Sequence, residues 1–274
     1  MTETVFRGMT RAELDRQYDQ RTLVPQMALL FEDWLQRSDA VVSRHGVPLR
    51  IPYGPERSQG IDLFKVPDAR GLHVHYHGGA WKALQSRHAW WLAEPWLKAG
   101  YCFAAVDFRL VPMVRLAEQV RDARLALSAA RDLMDPGLRL VVSGHSSGAH
   151  LAAMAVLAPE AGLPAPRCDH LILASGIYDL TPVRLSGRND YLRLDHADAL
   201  SLSPEVRLAG TAGCPVSLIW SCDELAEFQR QSRSMADTLH RAGMPVDGLA
   251  SSAANHFKTW DLITPDIPTP SNRQ

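Results

Sequence analysis

A serine framed by two glycines, Gly144-His145-Ser146-Ser147-Gly148, is the stretch of this 274-residue chain whose residue types and spacing speak most directly of chemistry. It follows an apolar, β-branched run at 138–143 and opens a small-residue run containing Ala152, Ala153 and Ala155. G-x-S-x-G therefore sits where a strand should turn sharply into a helix, a turn that holds the serine strained and leaves no room for a side chain two residues to either side. Ser146 would stand at a helix N-terminus, where free N–H groups favour developing negative charge.

A serine hydroxyl is a weak nucleophile, so it needs a base, and the base needs a partner that fixes its tautomer. On a strand-turn-helix scaffold these follow in the order serine, Asp or Glu, His, each just beyond the end of a strand. Asp223, after the apolar run 215–220, is the expected acid, ahead of Asp179, Glu224 and Glu227. His256, beyond the last strand-like run, is the expected base; His240 falls inside an amphipathic helical stretch, and His145 and His150 flank the serine too closely in sequence.

Acyl transfer also needs an oxyanion site, and His77-Gly78-Gly79-Ala80-Trp81 follows the strand-like run 72–76. Gly78 and Gly79, with the Ser147 N–H, are the expected donors, and Ala80, Trp81 and His145 the expected substrate-binding residues. Trp90, Trp91 and Trp96 read as packing residues. His73, His75 and His77 alternate along one strand face, a pattern that sometimes binds metal; no carboxylate follows closely in the same run, so hydrogen-bonded packing is expected, with no metal or cofactor.

The elements that must hold these groups alternate. Two amphipathic helices at 10–20 and 25–37 precede the sheet as a cover, the second with a stripe of Leu29, Leu30, Trp34 and Leu35. Runs at 49–53, 61–66 and 72–76, joined by short connections, suggest antiparallel strands at one edge. From 86 onward helix alternates with strand: helix to about 97, strand 101–106, helix 114–133, strand 138–143, helix 146–157, strand 170–175. A strand at 215–220, a helix at 227–242 and a strand at 246–250 close the chain. This rhythm predicts an α/β fold, a mostly parallel sheet with helices on both faces, in a single domain over 1–274. Residues 181–213 interrupt it as a lid-like or pocket-lining insertion, and the proline-rich tail 264–274 is expected to fray.

Bulk properties narrow the field. Hydrophobic content of 46%, charged content of 22% and a net charge of −1 suit a globular enzyme and give no footprint for nucleic acid or an anionic membrane. Cys102, Cys168, Cys214 and Cys222 lack C-x-x-C spacing and read as buried, reduced thiols. With no signal-peptide pattern at the N-terminus and no long apolar run, a cytoplasmic protein is expected. A small-molecule substrate is the expected partner, and the sequence is compatible with a homodimer.

The chain resembles the arylformamidase (kynurenine formamidase) branch of the α/β-hydrolases, near the hormone-sensitive-lipase-like esterases, along nearly its whole length. The resemblance is carried by F-R-G-M-T-R-A-E-L-D-R-Q-Y-D-Q-R at 6–21, H-G-G-A-W, V-D-F-R-L-V-P at 106–112, G-H-S-S-G-A-H-L, S-G-I-Y-D-L at 175–180, S-L-S-P, D-E-L-A-E-F-Q-R-Q-S at 223–232 and N-H-F at 255–257. It implies an α/β-hydrolase fold, Ser146, Asp223 and His256 as the triad, and hydrolysis of N-formyl-L-kynurenine to kynurenine and formate in tryptophan breakdown. A carboxylesterase or amidase acting on small acyl or aryl groups would use the same residues. Two positions depart from the family pattern: Ala80 where tyrosine is usual in H-G-G-Y-W, and Asp19 where asparagine is often found.

Overall fold

The computed structural model describes residues 3–158, 160, 162–163, 167–208, 213–252 and 255–271. Among these, eight strands form one sheet: β1 (Leu49–Pro52), β2 (Gly60–Phe64), β3 (Gly71–Tyr76), β4 (Tyr101–Val106), β5 (Arg139–His145), β6 (His170–Ala174), β7 (Val216–Ser221) and β8 (Val246–Ser251). Their order is β1-β2-β4-β3-β5-β6-β7-β8, antiparallel for β1 with β2 and β2 with β4, and parallel from β4 to β8. This is the α/β-hydrolase arrangement, with the antiparallel strands at one edge.

One expectation changes here. The short link between β2 and β3 suggested antiparallel pairing, yet β3 crosses over to lie between β4 and β5, parallel to both. The reason is burial. All six residues of β3 are buried, whereas three of the four residues of β1 are exposed, so β3 has two faces to cover and belongs in the middle.

The period of two along each strand sorts the core into two layers. Leu72, Val74, Leu140 and Val142 pack with α4 (Leu116–Asp132), α5 (Ser147–Leu157) and α9 (Ala226–Arg241). Phe103, Ala105, Val141, Ile172 and Ile219 face the other way, onto α2 (Met27–His45), α3 (Ala93–Lys98) and Trp260. All eleven residues of α5 are buried, which explains its run of alanines: only small side chains let a helix approach a sheet this closely along its whole length.

The N-terminal cover is α1 (Arg11–Arg16), a 3₁₀ turn over Gln20–Thr22, and α2. Thr10 caps α1 in a reciprocal box with Glu13. The buried stripe of α2 is Trp34, Ser38 and Val41; Leu29 is exposed and Leu35 half-buried. The helix runs on to His45, and its inward face is set by where Trp34 meets Trp260, with ring centroids 4.6 Å apart.

Within 181–208 the chain forms α6 (Thr181–Leu185), α7 (Asn189–Leu192) and α8 (His196–Ser201); 209–212, within the expected insertion, lie outside the described residues. The tail is held where it is described: Pro270 is buried, the Pro268 carbonyl accepts from Ser217, and Thr269 bonds Arg139. Cys222 is exposed rather than buried, because it lies just past the end of β7; Cys102, Cys168 and Cys214 are buried thiols. No helix among the described residues is long and apolar enough to cross a membrane.

Candidate active site

The turn between β5 and α5 sets Ser146 at φ 54° and ψ −122°, a left-handed conformation that a serine adopts only where its surroundings impose it. Two close approaches impose it. A Cβ on Gly148 would come within 2.1 Å of the Tyr76 carbonyl oxygen, and one on Gly144 within 2.2 Å of the Gly148 carbonyl oxygen. The Ser146 N–H is anchored to the Ala174 carbonyl at 2.8 Å. The hydroxyl is therefore fixed at the mouth of the β5 turn, facing a cavity.

Across from it lies His256, whose Nε2 is 3.1 Å from Ser146 Oγ and whose Nδ1 is 2.9 Å from a carboxylate oxygen. That carboxylate is Glu224. Asp223, the acid expected from sequence, is exposed, and its N–H donates to Ser221 Oγ at 2.9 Å. The turn after β7 thus points Asp223 into solvent and its neighbour inward, where the longer side chain of Glu224 reaches both His256 and the Ser221 N–H, the latter at 3.1 Å.

With Glu224 accepting from Nδ1–H, the Nε2 lone pair of His256 is left to accept from the serine hydroxyl. Burial pushes the Glu224 carboxyl up and the His256 imidazole down, because a low-dielectric pocket disfavours charge on either. The imidazole in its neutral form is the one that can take a proton.

The loop after β3 carries a run of left-handed residues: Gly79 (φ 108°), Ala80 (φ 53°) and Trp81 (φ 63°). A Cβ on Gly79 would strike the Ala83 carbonyl oxygen at 2.1 Å. Its carbonyl accepts from the N–H groups of Lys82 and Ala83, and Ser147 Oγ accepts from the Trp81 N–H at 3.1 Å, tying the loop to the first turn of α5. Ser147 is the first residue of α5, so its own N–H has no intrahelical acceptor.

Trp81 does not line the cavity. It is 1% exposed and donates from Nε1 to His150 Nδ1 at 3.1 Å, beneath the loop. Ala80 and His145 do line it. His145 Nε2–H donates to the His256 carbonyl at 2.8 Å, and its ring stacks on Trp260 at 4.9 Å. The β3 histidines pack: His75 accepts from Trp260 Nε1 (2.9 Å) and donates to Ser143 Oγ (2.7 Å), which lies 2.6 Å from His73 Nε2. His77 lies against the Gly78 carbonyl and stacks on Phe108.

The cavity over Ser146 encloses about 390 Å³. Ser146, His145 and His256 form its floor, and Gly79, Ala80, Lys82, Ala83 and Leu84 of the glycine loop one side. Phe31, Trp34 and Phe257 supply an aromatic wall, Tyr18 to Arg21 the entrance from the N-terminal cover, and Arg188 the contribution of 181–208. Sequence reading missed Tyr18, Gln20 and Arg188: the first two fall inside the 6–21 stretch that carries the family resemblance but received no role there, and Arg188 sits in a segment with no motif.

The family profile BD-FAE matches residues 65–166. Kynurenine formamidase of Danio rerio is 26% identical over 282 residues, covering 94% of this chain and 93% of that protein. The kynurenine formamidase of Drosophila melanogaster is 26% identical, covering 81% and 79% respectively. Among solved structures, a protein of Silicibacter sp. TM1040 provisionally described as a thioesterase aligns at a TM-score of 0.85 with 25% identity, over 93% of this chain and 96% of that one. Esterase B of Lactobacillus rhamnosis shares the fold at a TM-score of 0.66 and 18% identity, over 91% of each chain.

Sheet order, elbow and relatives together define an α/β-hydrolase, an enzyme of the serine hydrolase kind. Within that superfamily, kynurenine formamidases are the relatives that match this chain over most of its length, at 26% identity.

Proposed function

We propose that this enzyme hydrolyses an aryl formamide, N-formyl-L-kynurenine in the first instance, to the aryl amine and formate. The observation that carries the reading is the Ser146, His256 and Glu224 relay, at 3.1 Å and 2.9 Å, opening into a cavity with an aromatic wall. Relatives named kynurenine formamidase over 94% of the chain supply the substrate.

His256 takes the proton of Ser146 as Oγ attacks the formyl carbon. The resulting oxyanion is held by backbone N–H groups of the Gly78–Gly79 loop and of Ser147; each such donor contributes about 3 kcal/mol to lowering the barrier. Collapse expels the aryl amine, protonated by His256, and leaves a formyl ester on Ser146. Water, deprotonated by the same imidazole, releases formate. Glu224 stabilises the imidazolium in both halves, in the role that Asp223 was expected to fill.

The test is kcat/KM for N-formyl-L-kynurenine beside p-nitrophenyl acetate and butyrate, with wild type and Ser146→Ala. A strong formamide preference, lost by about 10⁴-fold or more in the variant, supports the reading. Ester turnover with little formamide cleavage would replace it by the carboxylesterase reading, which the esterase fold neighbours favour. Near-normal turnover by a folded Ser146→Ala protein would overturn the mechanism altogether.

A further inference from the structure

At the side of the cavity formed by the N-terminal cover and 181–208, three polar side chains converge with hydrogen-bonding capacity unspent. Tyr18 is 5% exposed and Gln20 7% exposed. The Tyr18 hydroxyl, both amide atoms of Gln20 and Nη1 of Arg188 are buried without a hydrogen-bond partner among the described residues. All three residues line the same cavity as Ser146.

Arg188 is held but not neutralised. Its Nη2 donates to the Tyr18 carbonyl at 2.9 Å, its guanidinium lies 4.9 Å from the centre of the Tyr18 ring, and the Tyr191 hydroxyl lies beside it. Among the described residues no carboxylate stands within ion-pair distance. Asp19, the nearest acid in the cavity wall, is engaged by Arg21 at 2.7 Å, and Asp190 by Arg11 at 2.6 Å. The charge of Arg188 reaches far enough to disfavour protonation of His256, which places it within electrostatic range of the relay.

Burying hydrogen-bonding groups without partners costs stability, and a guanidinium more than a hydroxyl. Such a cluster is retained where a ligand supplies the missing partners. One cation flanked by a phenol and a carboxamide offers a single positive charge and several neutral donors, which suits a singly charged, planar anion better than a dianionic phosphate.

We propose that Arg188, Tyr18 and Gln20 form a carboxylate subsite, and that the enzyme's substrate carries a carboxylate on the part of the molecule remote from the scissile acyl group. This rests on the reading of the cavity as the acyl-transfer site. It makes the N-terminal cover and 181–208 jointly responsible for substrate choice.

The test uses two substrate pairs: N-formyl-L-kynurenine against 2-formamidoacetophenone, which differ by a carboxylate and an α-ammonium, and 4-acetoxyphenylacetate against 4-tolyl acetate, which differ by the carboxylate alone. In each pair wild type should favour the carboxylate-bearing member, and Arg188→Met should raise the KM of that member about 10- to 100-fold while the KM of the other stays unchanged, any change of kcat through His256 being common to both members. Tyr18→Phe should do the same to a smaller degree. Equal rises in KM on both members of a pair, or no rise on either, would overturn the subsite. If formamides are poor substrates but the ester pair still shows the Arg188-dependent preference, the formamide assignment fails and the subsite stands.

Discussion

The two ends of the cavity are built on opposite principles. At the reacting end the relay atoms are committed: Glu224 to His256 and Ser221, His256 to Ser146, and Nε2 of His145 to the His256 carbonyl. At the other end Tyr18, Gln20 and Arg188 keep groups in reserve. Chemistry that repeats unchanged for every substrate can be preorganised within the protein; recognition has to leave its partners unmade until the substrate arrives.

The comparison breaks most decisively at Glu224. Glu224→Gln should lower kcat by about 10³- to 10⁴-fold, since an amide can present the wrong tautomer to His256, whereas Asp223→Asn should stay within about twofold. Steady-state kinetics on the two purified variants decides between the neighbours, and a larger loss at Asp223 would return the acid role to that residue.

Next in size is the backbone that aims the nucleophile. Gly148→Ala would drive a methyl to 2.1 Å from the Tyr76 carbonyl oxygen, and urea denaturation should show a loss of about 3 kcal/mol or more. An unchanged midpoint would mean that the elbow is less constrained than its contacts indicate.

Acid should loosen the committed end through its histidines. Burial depresses the imidazoles of His73, His75, His145 and His256, so the folded protein binds fewer protons than the unfolded chain below the ordinary histidine value of 6.5. Their contribution is complete above pH 6.5 and is lost as pH falls below it, by about 1.4 kcal/mol per histidine one unit lower. Urea midpoints at pH 7.5 and 5.5, compared with a His73→Gln variant that removes one such group, measure the slope.

The smallest effect sharpens the contrast. Tyr18→Phe removes a buried hydroxyl that has no partner among the described residues, so thermal unfolding of the unliganded enzyme should change by no more than about 1 kcal/mol, in either direction. A large destabilisation would mean that the hydroxyl is already committed.

These contrasts also mark what the chain revealed as a string of letters. Ser146 was legible because three requirements coincide there: a buried strand, a turn that excludes side chains and a helix start. The acid was legible only to within one residue, since Asp223 and Glu224 both follow β7 and nothing local tells which way the turn points each of them. Trp81 misled for a related reason: its neighbours Ala80 and Lys82 face the cavity, and the left-handed backbone turns the indole away toward His150. The placement of β3 required knowing which strands are buried on both faces, a property of the assembled sheet. That Tyr18 and Gln20, inside the 6–21 motif, share a cavity wall with Arg188 was not legible, because they meet through tertiary structure across some 170 positions, as the bond from Arg188 to the Tyr18 carbonyl shows.

That same bond is one of a set. Arg11 pairs with Asp190, the Gly187 N–H donates to Asp15, and Arg188 donates to Tyr18, so the N-terminal cover and 181–208 are fastened to each other. The stretch matched by the BD-FAE profile, 65–166, contains the nucleophile and the glycine loop but neither of these segments. Glu224 and His256 lie outside that stretch as well; what sets the two segments apart is the latch between them, through which a substitution in one that shifts the contact also displaces the other, so specificity here moves by coupled changes.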